Sequence, residues 1–214
     1  MNLDSCPVCA AIRLDDFDDL LRCIACGHTF QRSRAITVQY DIHYVSNYLR
    51  KPEVAMSHLR TGFLKGFVKN GKLFDVGYGT GAFLRTASTV GFEAYGCDIH
   101  GVDRGIQEKP LISDDEWDAV TFFDSLEHFP DLSVIRQLNR RARLILVSLP
   151  KTPRFFPECK KWRHYKPGEH RHYFSEESLA RLFYPKECQV ISDVEDAVRG
   201  KLDGEQNILT AVFS

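Results

Sequence analysis

The sequence predicts an α/β fold with a doubly wound, mainly parallel sheet, preceded by a small N-terminal metal ribbon. Three observations support this prediction: short apolar runs alternate with amphipathic stretches, a glycine-rich turn follows the first such run, and two CxxC pairs lie near the N-terminus. These patterns divide the chain into a ribbon over residues 1–36, a linker with helices over 37–70, and a ligand-binding domain over 71–214.

Composition excludes several classes of protein. The chain has 214 residues, 43% of them hydrophobic, and a net charge of −1, which suits one full core with an accessory module. Near-zero charge removes the bulk attraction on which general nucleic-acid binders rely. Neither a secretory signal nor a run of roughly 20 apolar residues is present, so we expect no membrane span and a cytoplasmic location.

Two cysteine pairs predict a metal centre. Cys6 and Cys9 form the first pair, and Cys23 and Cys26 form the second. Each CxxC turn aims two thiolates at one tetrahedral ion, so we expect zinc, with iron in a rubredoxin-like site as the alternative. Four thiolates leave no open position, which indicates a structural ion. His28 follows the complete set, and we expect it at a surface or interface.

The linker contains two helical patterns. Residues 53–69 place apolar side chains at helical spacing, and Gly71 follows as a stop signal. Upstream, Tyr40, Tyr44 and Tyr48 lie four residues apart, which would align them on one helical face.

Beyond residue 70, predicted strands and helices alternate. The predicted strands are "KLFDVG", "EAYGCD", "DAVTFF" and "RLILVSLP", and the helices are "TGAFLRTASTVG", "DLSVIRQLNRRA" and "SEESLARLFY". Alternation at these lengths is typical of βαβ units in a parallel sheet. Two final strands, "CQVISDVE" and "NILTAVF", follow without a helix between them and predict a hairpin at the sheet edge.

A glycine-rich turn predicts the ligand site. Gly77, Gly79 and Gly81 lie between the first strand and its helix, where missing Cβ atoms allow a nucleotide-like ligand to approach the backbone. Dinucleotides and S-adenosylmethionine both fit such a turn. Asp75 would repel a pyrophosphate and attract a cationic cofactor, whereas Asp98 could bind the ribose of either.

The turn "LFDVGYGTGAFL", followed by "GCDIH", "WDAVTFFDSLEHFPDL" and "LILVSLP", resembles the ordered motifs of class I S-adenosylmethionine-dependent methyltransferases over about residues 53–214. The nearest resemblance is to the ubiquinone-biosynthesis O-methyltransferases and to bacterial small-molecule and sugar methyltransferases, some of which carry a four-cysteine ribbon. It implies a Rossmann-like sheet of the seven-stranded type, with S-adenosylmethionine bound over residues 71–214. The cofactor-binding residues it implies are Asp75, Gly77, Tyr78, Gly79, Gly81, Asp98, Ile99 and Asp124.

Two features depart from the family pattern. Tyr78 replaces a small residue or cysteine of the glycine turn, so the cofactor's surroundings would be tighter or the ring would stack near it. The stretch over residues 99–117 is too short for the family's helix and third strand. Asp114 and Asp115 are the candidates there for the adenine contact.

Three residues are predicted to be catalytic. Methyl transfer to a hydroxyl or amine needs a group that receives the proton, and a histidine suits this role near neutral pH. His128 beside Glu127 follows the fourth strand, and His170 precedes a later helix. Asp124, Glu127 and His128 also resemble the set that holds a divalent cation in ubiquinone-type enzymes. The alternative is a purely structural role for these residues.

The segment over residues 151–174 interleaves seven Lys or Arg residues with aromatics. Such a segment can bind an anionic ring-bearing substrate or nucleic acid, or form a substrate lid with a solvated basic face. We favour the lid and an anionic small-molecule acceptor.

The leading hypothesis is therefore a methyltransferase that uses S-adenosylmethionine and acts on an oxygen or nitrogen of a small molecule or of a sugar or nucleotide derivative. Two alternatives are a nicotinamide-dependent oxidoreductase and a non-catalytic binding module on a degenerate methyltransferase fold.

Overall fold

The computed structural model describes residues 4–32, 54–100, 105–153, 156–199 and 207–214. The predicted tyrosine stripe at Tyr40, Tyr44 and Tyr48 lies outside these ranges. Among the described residues, no helix combines the length and the apolar character needed to cross a bilayer.

The strands are β1 (Leu14–Phe17), β2 (Leu20–Cys23), β3 (Thr29–Gln31), β4 (Gly71–Val76), β5 (Phe92–Cys97), β6 (Gln107–Glu108), β7 (Trp117–Phe123), β8 (Ala142–Pro150), β9 (His172–Tyr173), β10 (Cys188–Ser192) and β11 (Ile208–Phe213). The helices are α1 (Val54–Lys65), α2 (Ala82–Thr89), α3 (Ser133–Arg141), α4 (Glu176–Phe183) and α5 (Asp196–Arg199). Two 3₁₀ turns cover Leu126–His128 and Phe156–Lys161.

The larger sheet has seven strands in the order β10-β11-β8-β7-β4-β5-β6. Neighbours from β8 to β6 pair in parallel, whereas β11 pairs antiparallel with both β8 and β10. This confirms the predicted doubly wound, mainly parallel sheet of the Rossmann-like methyltransferase type, and the antiparallel pair lies at its edge as expected. The central strands are continuously apolar because helices cover both of their faces.

The two faces of this sheet have separate cores. Leu73 of β4 packs with α1 and α2, represented by Leu64 and Leu84. Its neighbour Phe74 points to the other face and packs with Ile135 of α3 and Leu179 of α4. Side chains alternate along a strand, so one strand contributes to both cores.

The stretch over residues 99–117 is abbreviated as predicted, with the third strand reduced to the two-residue β6. Two local predictions need correction. Helix α5 lies between β10 and β11, where no helix was expected. Helix α1 ends at Lys65, four residues before the predicted end at Lys69, because the chain turns at Gly66 and Phe67, whose amides bond the Phe63 and Leu64 carbonyls.

The ribbon forms a second, antiparallel sheet in the order β1-β2-β3-β9. Its last strand is β9, which comes from the α/β part of the chain. The ribbon also packs on α3 and α4: Arg136 donates to the Pro7 carbonyl at 3.2 Å, and the Ser175 hydroxyl donates to the Cys26 carbonyl at 2.9 Å. The ribbon and the α/β domain therefore share a sheet and a core.

Candidate active site and metal centre

A cavity of about 610 Å³ opens at the carboxyl ends of β4, β5 and β7. Its walls come from the glycine turn, α1, the turn after β7, and residues 169 and 171. This is the end of a parallel sheet at which doubly wound folds bind ligands, and the volume suits a small organic molecule.

The glycine turn brings the backbone directly to the cavity wall. Gly77 has a φ of +82°, and a Cβ added there would lie 2.7 Å from the Cβ of Ser125. Only glycine therefore satisfies both the backbone conformation and the close approach of the turn after β7. Gly79 also lies in the wall, with its amide bound to Asp98.

Two acidic side chains lie at the adjoining strand ends. Asp75 is buried, and its Oδ1 accepts a hydrogen bond of 2.7 Å from the Thr121 hydroxyl. Asp98 accepts from the Gly79 amide at 2.8 Å and from the His100 amide at 2.6 Å. Both acids line the cavity, so the structure brings together the turn and the two carboxylates that the sequence singled out.

The remaining cofactor candidates occupy different places. Ile99 is 86% exposed at the cavity rim. Tyr78 lines the cavity, but its ring is buried and its hydroxyl donates to Glu108; burial and this carboxylate raise the pKa of Tyr78. Gly81 is not in the cavity wall and instead begins α2 with a φ of +72°.

Asp114 and Asp115, the candidates for an adenine contact, do not line the cavity. Asp114 pairs with Arg141 at 2.9 Å, and Asp115 pairs with Lys109 at 3.2 Å. The structure therefore gives them a surface ion-pair role, whereas Ile99, His100 and Leu111 of the same stretch line the cavity.

Asp124 lines the cavity, but its carboxylate is held by two guanidinium groups. Arg60 lies 3.3 Å from it, and Arg199 also donates to it. Burial alone would raise the pKa of Asp124, but the two arginines outweigh burial and hold the pKa below its usual value. Fully buried Glu195 completes the cluster, accepting from Arg60 at 2.7 Å and from Arg199 at 2.9 Å.

Sequence reasoning missed this cluster. Arg60 lies on α1, and Glu195 and Arg199 lie at the C-terminal side of the chain. No motif marks any of them, and the cluster forms only because α1 and α5 meet beside the end of β7. The positive φ of Asp124, +53°, was also not predictable from its neighbours.

The three predicted catalytic residues form one cluster, of which only His128 lines the cavity. The Nδ1 atom of His128 lies 3.1 Å from the Glu169 carbonyl oxygen, which can only accept, so Nδ1 bears the proton. The lone pair therefore resides on Nε2. Burial lowers the pKa of His128, which keeps the ring neutral near pH 7.

Glu127 and His170 lie behind His128. Burial, reinforced by Asp124, raises the pKa of Glu127 to about 8, and its Oε2 has no hydrogen-bond partner among the described residues. Burial lowers the pKa of His170 to about 3, and its ring lies edge-to-face against His128 with 4.8 Å between centroids. All three offer ligand atoms within 4.8 Å of one another.

This arrangement differs from the cation site suggested by the resemblance. That site used Asp124 with Glu127 and His128, whereas the structure groups His170 with the latter two. Asp124 is instead engaged by Arg60 and Arg199.

The four cysteines cluster as their spacing predicts. Cys6 and Cys26 have their sulfurs 3.7 Å apart, and those of Cys9 and Cys23 are 3.5 Å apart. A tetrahedral zinc with bonds near 2.3 Å requires sulfurs separated by about 3.8 Å. The hydrogen bond between Cys26 and Cys6 lowers the pKa of Cys6 and raises that of Cys26, so the two sulfurs share a proton that a bound metal would displace. The donor set and its spacing therefore fit zinc.

The basic segment over residues 151–174 does not form the expected lid in its described part. Lys160 pairs with Asp18 at 2.6 Å and with Asp19 at 3.0 Å, both on the ribbon. Trp162 packs near buried Leu20 of β2. Lys160 and Trp162 thus attach the segment to the ribbon, and among its described residues only 169 and 171 line the cavity.

Comparison with known proteins identifies the family of the chain. A family model described as a methyltransferase domain matches residues 47–192. No match was found among the curated proteins. The CcbJ methyltransferase from Streptomyces caelestis superposes with a TM-score of 0.59 at 11% identity, covering 85% of this chain and 98% of that chain.

Two further solved structures share the fold. Magnesium protoporphyrin IX methyltransferase (ChlM) from Synechocystis PCC 6803, with bound SAH, has a TM-score of 0.51 at 16% identity, covering 84% of this chain and 91% of that chain. A TehB-like SAM-dependent methyltransferase from Corynebacterium glutamicum has a TM-score of 0.52 at 15% identity, covering 81% and 99%. Because the family model spans well over half of its length, the chain belongs to the methyltransferase-domain family.

Proposed function

We propose that the protein is an S-adenosylmethionine-dependent methyltransferase that transfers a methyl group to an oxygen or nitrogen of a small molecule, including sugar and nucleotide derivatives. One observation carries the proposal: the glycine turn with Asp75 and Asp98 forms one wall of the cavity, and neutral His128 lies in the same cavity. In this proposal residues 71–214 bind cofactor and acceptor, and residues 1–36 form a structural zinc ribbon.

The chemistry of the walls suits this cofactor. Bound S-adenosylmethionine would supply the methyl group, with Asp75 attracting its cationic methionine end and Asp98 accepting from the ribose hydroxyls. The backbone at Gly77 and Gly79 would lie against the ligand. Asp75 is buried at the strand end, where a pyrophosphate would be repelled, which argues against the nicotinamide-dependent alternative.

His128 would act as the general base. Its neutral ring carries the proton on Nδ1, held by the Glu169 carbonyl, so Nε2 can accept the proton of an acceptor hydroxyl or amine. Residues at the cavity rim would align the acceptor with the methyl group, which is the main requirement of an in-line displacement.

The first experiment is calorimetric titration with S-adenosylhomocysteine. We expect micromolar binding by the wild type, and Asp98→Asn should weaken it about 10- to 100-fold because a charged hydrogen-bond acceptor is lost. Asp114→Asn is the matched control, since Asp114 lies on the surface away from the cavity, and should bind like the wild type. Absence of binding up to millimolar concentrations would support the non-catalytic alternative.

A second divalent cation is the alternative to the general base, because an ion bound at Nε2 of His128 would occupy the lone pair that takes the proton. Glu127, His128 and His170 offer one carboxylate and two imidazoles, a donor set that suits a divalent ion. Protein loaded with excess zinc and then desalted should contain two ions per chain, and His170→Gln should contain one. If both proteins contain one ion per chain, the second metal is refuted and the general-base role of His128 is retained.

The acceptor is proposed to be a small anionic molecule. Arg171 lies in the cavity wall, and a guanidinium is a suitable partner for a carboxylate or phosphate. Methylation of paired acceptors that differ only in a carboxylate or phosphate tests this: equal rates for both members of each pair would contradict the anionic preference.

A further inference from the structure

Two buried histidines join the metal ribbon to the wall of the candidate active site. His28 follows the ligand Cys26 by two residues, and its Nε2 lies 3.0 Å from Nδ1 of His172 on β9. The Nε2 atom of His172 lies 3.0 Å from the carbonyl oxygen of Phe129, a residue of the cavity wall. His28 is 0% exposed, which places it at the interface that the sequence left open as one option.

The direction of both hydrogen bonds follows from their last acceptor. The Phe129 carbonyl can only accept, so Nε2 of His172 donates to it. Neutral His172 then has its lone pair on Nδ1, and Nε2 of His28 must donate to that atom. With both rings neutral, each carries its proton on Nε2, and Nδ1 of His28 has no partner among the described residues. If either ring carried its proton on Nδ1 instead, one of the two hydrogen bonds would be lost.

A backbone connection runs parallel to this pair. The Gln31 amide of β3 donates to the Arg171 carbonyl at 2.9 Å, and the Arg171 amide donates to the Glu127 carbonyl at 2.8 Å. Arg171, which precedes β9, therefore links the backbone of the ribbon to the turn that carries His128.

The supported turn has little internal stability. It is a single 3₁₀ turn, closed by a 3.1 Å bond from the His128 amide to Ser125 and a 3.4 Å bond from the Phe129 amide to Leu126. Short 3₁₀ turns have poor hydrogen-bond geometry and depend on their surroundings for a fixed conformation. Here the carbonyls of Glu127 and Phe129, on either side of His128, are both bonded by residues that are themselves bound to the ribbon.

The metal is coupled to the same contacts. The Cys23 amide donates to the His28 carbonyl at 2.8 Å, so the knuckle that would hold zinc also fixes the backbone of His28. Metal sites of this kind fold with their ion, and the ligand loops lose their conformation without it.

We propose that the metal-loaded ribbon positions the turn Leu126–Phe129 through His28 and His172, so that metal loading controls the placement of His128. His28 and His172 are positioning residues, since neither lines the cavity. The consequence for methyl transfer rests on the proposed function, whereas the structural coupling itself does not.

Amide hydrogen exchange of the full-length protein tests the coupling without an acceptor. The conditions are zinc-loaded wild type, wild type stripped with a chelator, and zinc-loaded His28→Phe, which keeps a ring against Phe174 but cannot donate. Peptides covering 125–130 and 170–173 should exchange about fivefold faster or more in the last two, the effect of losing about one net hydrogen bond. A peptide covering α2 should be unchanged. The matched control is His58→Phe, since His58 lies on the exposed side of α1.

Several results would overturn the proposal. Unchanged exchange of the turn peptides in the stripped wild type would do so even if His28→Phe failed to fold. Equal acceleration in α2 would also do so, because it would show general loosening. Zinc content of His28→Phe should equal that of the wild type, so that the hydrogen bond is tested apart from the metal. S-adenosylhomocysteine affinity, measured on the same samples, reports separately on the proposed function: its absence in zinc-loaded wild type would refute methyl transfer and leave the coupling intact.

Discussion

Replacing Gly77 by alanine should perturb the glycine turn at the point where it meets the turn after β7. The φ of Gly77 is +82°, and an added Cβ would lie 2.7 Å from the Cβ of Ser125. Carbon atoms in contact prefer separations of about 3.5–4.0 Å, so one of the two turns must move. Both turns line the cavity, and the movement would reach the cofactor site.

The expected magnitude is the sum of two contributions. A left-handed backbone costs alanine about 1–2 kcal/mol, and overpacking at a tight contact typically costs about 1–3 kcal/mol. Gly77→Ala should therefore lose about 2–5 kcal/mol in free energy of unfolding. Gly91→Ala isolates the backbone contribution, since Gly91 has a φ of +98° and nothing within 4 Å of the added Cβ. Only the first of the two costs applies to it.

Urea unfolding of both variants measures the difference, and calorimetry measures the affinity for S-adenosylhomocysteine. Gly77→Ala should be less stable than Gly91→Ala by at least about 1 kcal/mol, the lower bound of the overpacking cost, and should bind at least about tenfold more weakly, which corresponds to about 1.4 kcal/mol. Adding Ser125→Gly removes the clashing atom and should recover the overpacking part. Equal stability of Gly77→Ala and Gly91→Ala would refute the argument from close approach.

Three further predictions concern charge and ionisation. Glu195→Gln should cost about 3–5 kcal/mol of unfolding free energy, because it leaves Arg60 and Arg199 with one carboxylate between them. The control Glu177→Gln breaks an exposed pair with Arg181 and should cost under about 1 kcal/mol. Similar urea midpoints for the two variants would contradict this prediction. Burial lowers the pKa of four histidines: His28, His128, His164 and His170. Below about pH 6.5 the unfolded chain therefore binds more protons at these positions, and the free energy of unfolding falls as the pH drops, by about 1.4 kcal/mol per pH unit for each histidine. Glu127, whose pKa is raised to about 8, has the opposite effect and offsets one of the four. Equal urea midpoints at pH 7.5 and pH 5.5 would contradict this prediction. Tyr78→Phe should leave the affinity for S-adenosylhomocysteine within about twofold of the wild-type value, a difference under about 0.5 kcal/mol. The reason is that the lost hydroxyl donates to Glu108 and not to the ligand. A larger loss of affinity in calorimetry would mean that the hydroxyl contacts the ligand.

Local motifs were predictable because each is encoded within a few residues. The two CxxC pairs contain their own turn geometry, and their sulfurs come together at the separations zinc requires. Asp75 and Asp98 follow apolar runs, and the carboxyl ends of neighbouring parallel strands necessarily meet at one edge of a sheet. The sequence alone therefore predicted the strand alternation, the glycine turn and the acids beside it.

Contacts between distant parts of the chain were decided only by the tertiary structure. His28 and His172 are 144 residues apart, and Arg60 and Glu195 are 135 residues apart. Whether such residues meet depends on packing angles and side-chain rotamers, which hydrophobic periodicity does not encode. For this reason the sequence suggested Asp124 beside Glu127 and His128, whereas folding places His170 there and directs Asp124 to two arginines. The sequence by itself determined the methyltransferase family, the sheet and the glycine turn with its two acids. The tertiary structure decided the partners of the turn that carries His128 and the attachment of that turn to the four-cysteine ribbon.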